Sequence, residues 1–193
     1  MKNPDCMIHS VRFTCVLDAN VFYPLWIRDL MLWFAYYDLY TPKWSKHIFD
    51  EWIEAMLRKG VTEIEAHRRT VIANDAFPDA LFENYEPLIE SLSLPDIKDR
   101  HVLAAAIKAN ANLIVTNNLK HFPNEYLSGF GVSAKGADDF FTDIIDLNHM
   151  TSIRAFRDMV MNKRRPPLDN YQVLEILRKN GLKNTADYIH SLL

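Results

Sequence analysis

Three carboxylic acids occupy positions that chemistry could use. Asp18 ends an apolar run in VLDAN, Glu51 lies in SKHIFDEW, and Asp99 heads DRHVLAAAI. They stand 33 and 48 residues apart, so only the fold could bring them together. Three negative charges at close quarters resist ionisation unless a cation joins them. Oxygen donors with room left for water suit Mg²⁺ or Mn²⁺. Each acid also has a plainer role open to it. Asp18 can form a turn, Glu51 can face solvent on its helix, and Asp99 can gain from a helix dipole. Asp96 is placed to cap the helix that follows, with Asp99 completing a box-like arrangement.

The elements that would position these acids can be read from periodicity. RFTCVLDAN alternates into a buried run and stops at Asp18, as a strand delivering an acid at its carboxyl end. Pro24 suits the first turn of a largely buried helix, LWIRDLMLWFAYYDLY. Ser45 caps a helix that Gly60 ends, with Ile48, Trp52, Ala55 and Met56 on one stripe. Thr62 caps the next helix, with Glu65 in the capping-box position, and Pro78 breaks it. YEPLIESL makes a short helical connection. A helix runs from about Ile97 or Lys98 to Asn110, followed by strands NLIVT and GVSAK and the helix ADDFFTDIIDL. Strands separated by helices imply a parallel sheet in an α/β sandwich, and ligands of such sheets sit beyond the carboxyl ends of the strands. After Leu147 the pattern is helical throughout, including a helix capped by Asp169 and Gln172 and stopped at Gly181. We therefore expect two units, 1–147 and 148–193.

The 193 residues suffice for one compact domain and a small appendage. With 49% hydrophobic and 24% charged residues, the composition is that of an ordinary globular protein, and disorder is not the default for any long segment. Membrane spanning is not expected, because Arg28, Asp29 and Asp38 interrupt the longest apolar stretch. The N-terminal MKNPDCMIHSVRF lacks the apolar core of a secretory signal, so the cytoplasm is the expected location. Cys6 and Cys15 lack CxxC spacing and read as reduced thiols, Cys15 within a strand. Net charge is −3 overall, yet residues 149–165 carry +4, leaving −7 for the rest. That basic stretch (Arg154, Arg157, Lys163, Arg164 and Arg165) is equally a solvated helix face or a local site for an anionic polymer.

The blocks VLDANVFYP, WSKHIFDEW, LPDIKDRHVLAAAI and LIVTNNLKHFP, in that order, resemble PIN-domain nucleases, particularly the VapC-type ribonuclease toxins of bacterial toxin–antitoxin pairs. The resemblance covers roughly residues 12 to 147. The tail from about 149 is similar to the helical C-terminal extension of one subgroup. The resemblance implies a PIN-like three-layer α/β/α sandwich with a central parallel sheet, plus a small C-terminal helical extension. It implies a metal-dependent endoribonuclease that leaves a 5′-phosphate and a 3′-hydroxyl. By position, Asp18, Glu51 and Asp99 match the three acids that hold Mg²⁺ or Mn²⁺. Asn20 matches the residue that supports the first loop, and Thr116 and Asn118 match the polar pair of the last block. His121 stands where that block has a fourth acid. The replacement removes a charge and disfavours a second hard cation. One-metal chemistry, a preference for Mn²⁺ and loss of catalysis all stay open, with Asp96 and Asn117 close enough in sequence to compensate.

RNA is the implied substrate, with Arg100, Arg154, Arg157, Lys163, Arg164 and Arg165 available to the phosphate backbone. Tyr23 and Trp26 are candidates for base stacking, although packing of the first long helix is the favoured reading for both. His101 could face the site or be a satisfied structural histidine. The implied partner is a cognate antitoxin, laid across the acidic groove or pressing an arginine into it, and homodimers are expected in this family. A degenerate PIN module that binds RNA or protein without cutting is the alternative that His121 motivates. A DNA-binding helix-turn-helix at the C-terminus is disfavoured, because its second helix presents only His190 and Asp187.

Overall fold

The computed structural model describes residues 13–193, so the N-terminal stretch with Cys6 and Arg12 lies outside the described residues. Five strands form one sheet in the order β3-β2-β1-β4-β5, every pairing parallel. They are β1 (Thr14–Leu17), β2 (Thr41–Ser45), β3 (Leu81–Phe82), β4 (Leu113–Val115) and β5 (Ser133–Lys135). The first half of the chain adds α1 (Ala19–Phe22), α2 (Leu25–Tyr36), α3 (Lys46–Arg58), α4 (Glu63–Ala76) and α5 (Glu86–Ile89). A 3₁₀ turn at Ile97–Asp99 leads into α6 (Arg100–Lys108), and α7 (Asn124–Leu127) precedes β5. Beyond β5 come α8 (Ala137–Leu147), α9 (His149–Met161), α10 (Asn170–Lys179) and α11 (Lys183–Leu192).

The strand order decides where a ligand can sit. Crossovers between parallel strands are right-handed. The β1-to-β2 connection and the β3-to-β4 connection travel in opposite directions across the sheet, so their helices cover opposite faces. At β1 and β4 the connections diverge, which opens a crevice at the carboxyl ends of these two strands. Asp18 and Thr116 follow β1 and β4 directly, and the Asp18 backbone N–H donates to Val115 at 3.1 Å. The helix α6 precedes β4 and runs against it, so its N-terminus returns to the same end of the sheet. The parallel topology thus forces Asp99 toward Asp18.

Two strands went unread in the sequence. TPKWS is β2, paired with β1 on one side and β3 on the other. Proline in a strand usually argues against an interior position, because it lacks the ladder donor. Here the missing donor falls where β3 has not begun, since Trp44 N–H already reaches Ala80 at 2.9 Å and β3 opens only at Leu81. The long helix expected to reach Tyr40 stops at Tyr36, and Asp38 turns the chain with φ 58°.

Aromatic rings fill the core. Trp44, Trp52, Tyr40, Tyr85, Phe22 and Phe34 are buried, and Phe22 meets Trp44 edge-on at 5.3 Å between ring centroids. Such edge-to-face pairs contribute roughly 0.5–1.5 kcal/mol beyond the area they bury. On α6 the run His101–Ala106 is buried throughout, and its alanines let the helix lie close against β1, β2 and β4. Cys15 is a free, buried thiol whose pKa burial raises well above the ordinary value. Among the described residues no helix is long and apolar enough to cross a membrane.

The last helices are bound to the sandwich through α8 and through direct packing of α9 on α2. Its Phe141 packs edge-on against Phe34 of α2 at 5.3 Å. Its Asp138 carboxylate accepts hydrogen bonds from the backbone N–H groups of Asn184 (3.0 Å) and Thr185 (2.8 Å), and from the Thr185 hydroxyl (2.6 Å). The residue before α11, Leu182, has no polar side chain to cap it. Asp138 therefore supplies the missing N-terminal acceptor from another helix.

Candidate active site

A cleft of about 460 Å³ opens at the carboxyl end of the sheet, and Asp18, Glu51 and Asp99 all line it. Asp18 is the deepest of the three at 4% exposure. Its Oδ2 accepts from the Thr116 hydroxyl at 2.6 Å and from the Asn20 side-chain amide at 2.5 Å. Asn20 ties the two loops further: its amide also donates to Thr116 Oγ1 (2.9 Å), and its carbonyl accepts from Asn117 N–H (2.9 Å). Asn118 lines the cleft, and its backbone N–H closes the loop on Thr116 Oγ1 at 3.0 Å. Asn117 points elsewhere; its side-chain oxygen accepts from Ala137 N–H at the start of α8.

Asp99 and Asp96 part company from the box-like arrangement expected of them. The Asp96 carboxylate caps the 3₁₀ turn by accepting from Lys98 N–H at 2.9 Å. The Asp99 carboxylate caps nothing and accepts instead from His121 Nδ1 at 2.6 Å, with Asp96 Oδ2 3.9 Å from the same nitrogen. One donor atom from each of Asp96, Asp99 and His121 falls within 4.8 Å of the others.

Glu51 sits on α3, which Ser45 caps by accepting from Ile48 N–H at 3.3 Å. Its carboxylate accepts from His101 Nε2 of α6 at 3.0 Å.

The three acids influence one another. Burial pushes the Asp18 carboxyl up to about 6; the Thr116 hydrogen bond opposes this, and the charges of Glu51 and Asp99 add to it. Burial likewise raises Asp99, His121 opposes, and Asp96 and Glu51 add. A crowded set of oxygen donors that resists ionisation is the arrangement a hard divalent cation relieves. The donor set therefore fits such an ion, with the imidazole of His121 as its one soft-leaning member.

Sequence reasoning did not single out Glu54, Arg58 and Lys98, which also line the cleft. Glu54 and Arg58 lie three and seven residues beyond Glu51 on α3, so helical spacing alone points them to the same face. Tyr23 lines the cleft as well.

The six basic residues read as phosphate contacts scatter. Arg100 is half-buried with an unpartnered buried Nε and does not line the cleft. Arg154 and Arg157 line a separate groove with Met150, Ile153, Met161 and Leu192. Lys163 is paired with Asp29 and lies 4.8 Å over the Trp26 ring. Arg164 and Arg165 are exposed and make no ion pair among the described residues.

A twisted parallel sheet between helices, with acids gathered at the switch point, defines a PIN-like α/β/α sandwich. Residues 137–191 match the family model described as the VapC50 C-terminal domain. A relative from Mycobacterium tuberculosis (strain ATCC 25618 / H37Rv), VapC50, which its name assigns provisionally as a ribonuclease, is 39% identical over 93 residues. The match covers 48% of this chain and 54% of that protein, so the chain spans about half the length of this relative. No solved structure matches significantly. The chain is thus similar to VapC50 over part of its length, and its sheet has a PIN-like arrangement.

Proposed function

We propose that this protein is a divalent-metal-dependent endoribonuclease, the toxin of a type II toxin–antitoxin pair acting in the cytoplasm. The observation that carries the reading is the convergence of Asp18, Glu51 and Asp99 in one cleft at the β1/β4 switch point. Asp18, Glu51 and Asp99 would hold Mg²⁺ or Mn²⁺. When bound, such an ion lowers the pKa of a water and stabilises charge developing on the phosphoryl group. The remaining work falls to the chain. Thr116 and Asn20 fix the Asp18 carboxylate against β4, so that it need not reorganise during the reaction. Asn118, Lys98 and Arg58 line the wall where the phosphate would lie, and Tyr23 offers a ring to an unstacked base. Hydrolysis adds water across the P–O3′ bond, leaving a 5′-phosphate and a 3′-hydroxyl. RNA would reach the cleft past Arg164 and Arg165, which are exposed, as are Arg154 and Arg157 of the same basic stretch.

We take residues 1–147 as the nuclease unit and 148–193 as its helical extension, with α8 serving both. Expression of the wild-type protein should arrest growth, and the antitoxin encoded beside it should relieve the arrest. Persistence of the arrest in Asp99→Ala would count against catalysis as its cause.

One observation favours a second reading, a module that binds RNA or a partner without cleaving it. The His121 imidazole occupies Asp99 at 2.6 Å, where it could substitute for a cation. Metal-dependent cleavage that Asp18→Asn abolishes would exclude this alternative.

A further inference from the structure

We infer that His101 is a positioning residue that holds the Glu51 carboxylate in the cleft, itself steadied by His47 and Tyr85. The inference rests on the reading that Glu51 is a ligand of the proposed nuclease site. His101 lies on α6 and is buried at 6% exposure, whereas the Glu51 side chain is 40% exposed. An exposed glutamate on a helix samples several rotamers. Here Nε2 of His101 is 3.0 Å from Glu51 Oε1. An ionised carboxylate only accepts, so Nε2 carries a proton and donates it to Glu51. Nδ1 is buried and has no partner.

Packing alone does not explain this arrangement. An apolar side chain would fill the same space without an orphaned nitrogen, and an unpaired buried polar atom calls for a reason. The polarity of the imidazole is spent on one contact, Glu51. No hydrogen bond holds the back of the ring. Instead the His47 ring stacks on it, centroids 5.3 Å apart and planes 29° from parallel. His47 Nδ1 is in turn hydrogen-bonded to the hydroxyl of Tyr85, which is buried. Rings from the start of α5, α3 and α6 thus form a chain of contacts that ends at a single carboxylate. His47 and Glu51 lie one turn apart on α3, so the chain of contacts leaves that helix and returns to it across α6.

The test is Mn²⁺ binding by the full chain, followed through loss of the free-ion electron paramagnetic resonance signal, beside thermal unfolding by circular dichroism. His101→Leu fills the site without a donor, and His101→Gln keeps an N–H at similar reach. The two variants should unfold at similar temperatures. Affinity should fall about tenfold or more in His101→Leu, the scale for losing an outer partner of a ligand, and largely recover in His101→Gln. Equal binding by wild type and His101→Leu overturns the role. So does an equal loss in both variants, which would mark the ring as packing only. If His101→Leu does not fold, His47→Ala loosens the ring from the exposed surface; weaker Mn²⁺ binding supports the role, and unchanged binding overturns it. A wild-type protein that binds no Mn²⁺ overturns the nuclease reading and this inference together.

Discussion

His121 Nδ1 lies 2.6 Å from Asp99 Oδ2, so the residue that stands where the family resemblance implies a fourth acid is bonded directly to the Asp99 carboxylate. A fourth carboxylate at this position would repel Asp99, whereas the imidazole partners it. The exchange trades capacity for a second cation against a better-satisfied metal-free site.

His121→Asp reverses that trade. The variant should bind Mg²⁺ more tightly than wild type and unfold at a lower temperature in EDTA, because a further acid then joins Asp18, Glu51, Glu54, Asp96 and Asp99 in the cleft. Isothermal titration with Mg²⁺ and calorimetric melting in EDTA check the two halves. Unchanged melting with unchanged affinity would remove His121 from the site's electrostatics.

Asp18 makes stability depend on pH in a stated direction. Its carboxyl ordinarily titrates at 3.8 and stands at about 6 when folded. The folded protein therefore binds the extra proton between these values, and stability falls as pH rises through them. The shift corresponds to about 3 kcal/mol lost by pH 7 in the absence of metal. Asp18→Asn escapes this loss. In urea denaturation with EDTA it should exceed wild type in stability at pH 7, and the difference should close as pH falls toward 4. A difference independent of pH would contradict the burial account.

Asn20 joins three groups across the β1 and β4 loops. Asn20→Ala should cost about 1–3 kcal/mol, because buried Asp18 and Thr116 lose a partner in the protein interior, whereas the exposed Asn117 N–H can turn to water. Urea unfolding measures the loss. RNA cleavage should fall with it, as the Asp18 carboxylate loses the amide that orients it.

The capping of α11 by Asp138 predicts a long-range effect. Asp138→Ala removes the acceptor for two backbone N–H groups and should destabilise the C-terminal helices by about 1–2 kcal/mol. Hydrogen exchange across 183–192 should accelerate in the variant while β1 and β4 stay protected. Uniform protection would show that packing alone holds α11.

The basic stretch divides by role. Arg164→Ala and Arg165→Ala should each reduce the salt dependence of RNA binding by about one ion, with little effect on melting. Lys163→Ala should instead lower stability, since its ammonium already serves Asp29 and Trp26. Filter binding across a salt series separates the two classes.

Much of this architecture was legible from local pattern. The apolar run before Asp18, the Gly60 and Gly181 stops and the Asp169–Gln172 capping box are short-range signals, and each element they mark is present. β2 and β3 were missed for opposite reasons. Pro42 disguises the first, and Leu81–Phe82 is too short to show any period. The meeting of Asp18, Glu51 and Asp99 in one cleft was suggested by family resemblance rather than by spacing, and the geometry supplies its cause in α6 running back to the switch point. No spacing could reveal that His101 serves Glu51, that Lys163 is spent on Trp26, or that Asp138 caps a helix 45 residues away. These pairings depend on rotamers and on helix placement, which the linear pattern does not encode.

The most direct test of the central claim is cleavage of total RNA by purified, antitoxin-free protein in Mg²⁺, in Mn²⁺ and in EDTA, with Asp18→Asn alongside. The account predicts discrete cuts bearing 5′-phosphates with metal, none in EDTA, and none from the variant. Folded protein that cuts under no metal, or a variant that cuts as well as wild type, would contradict it.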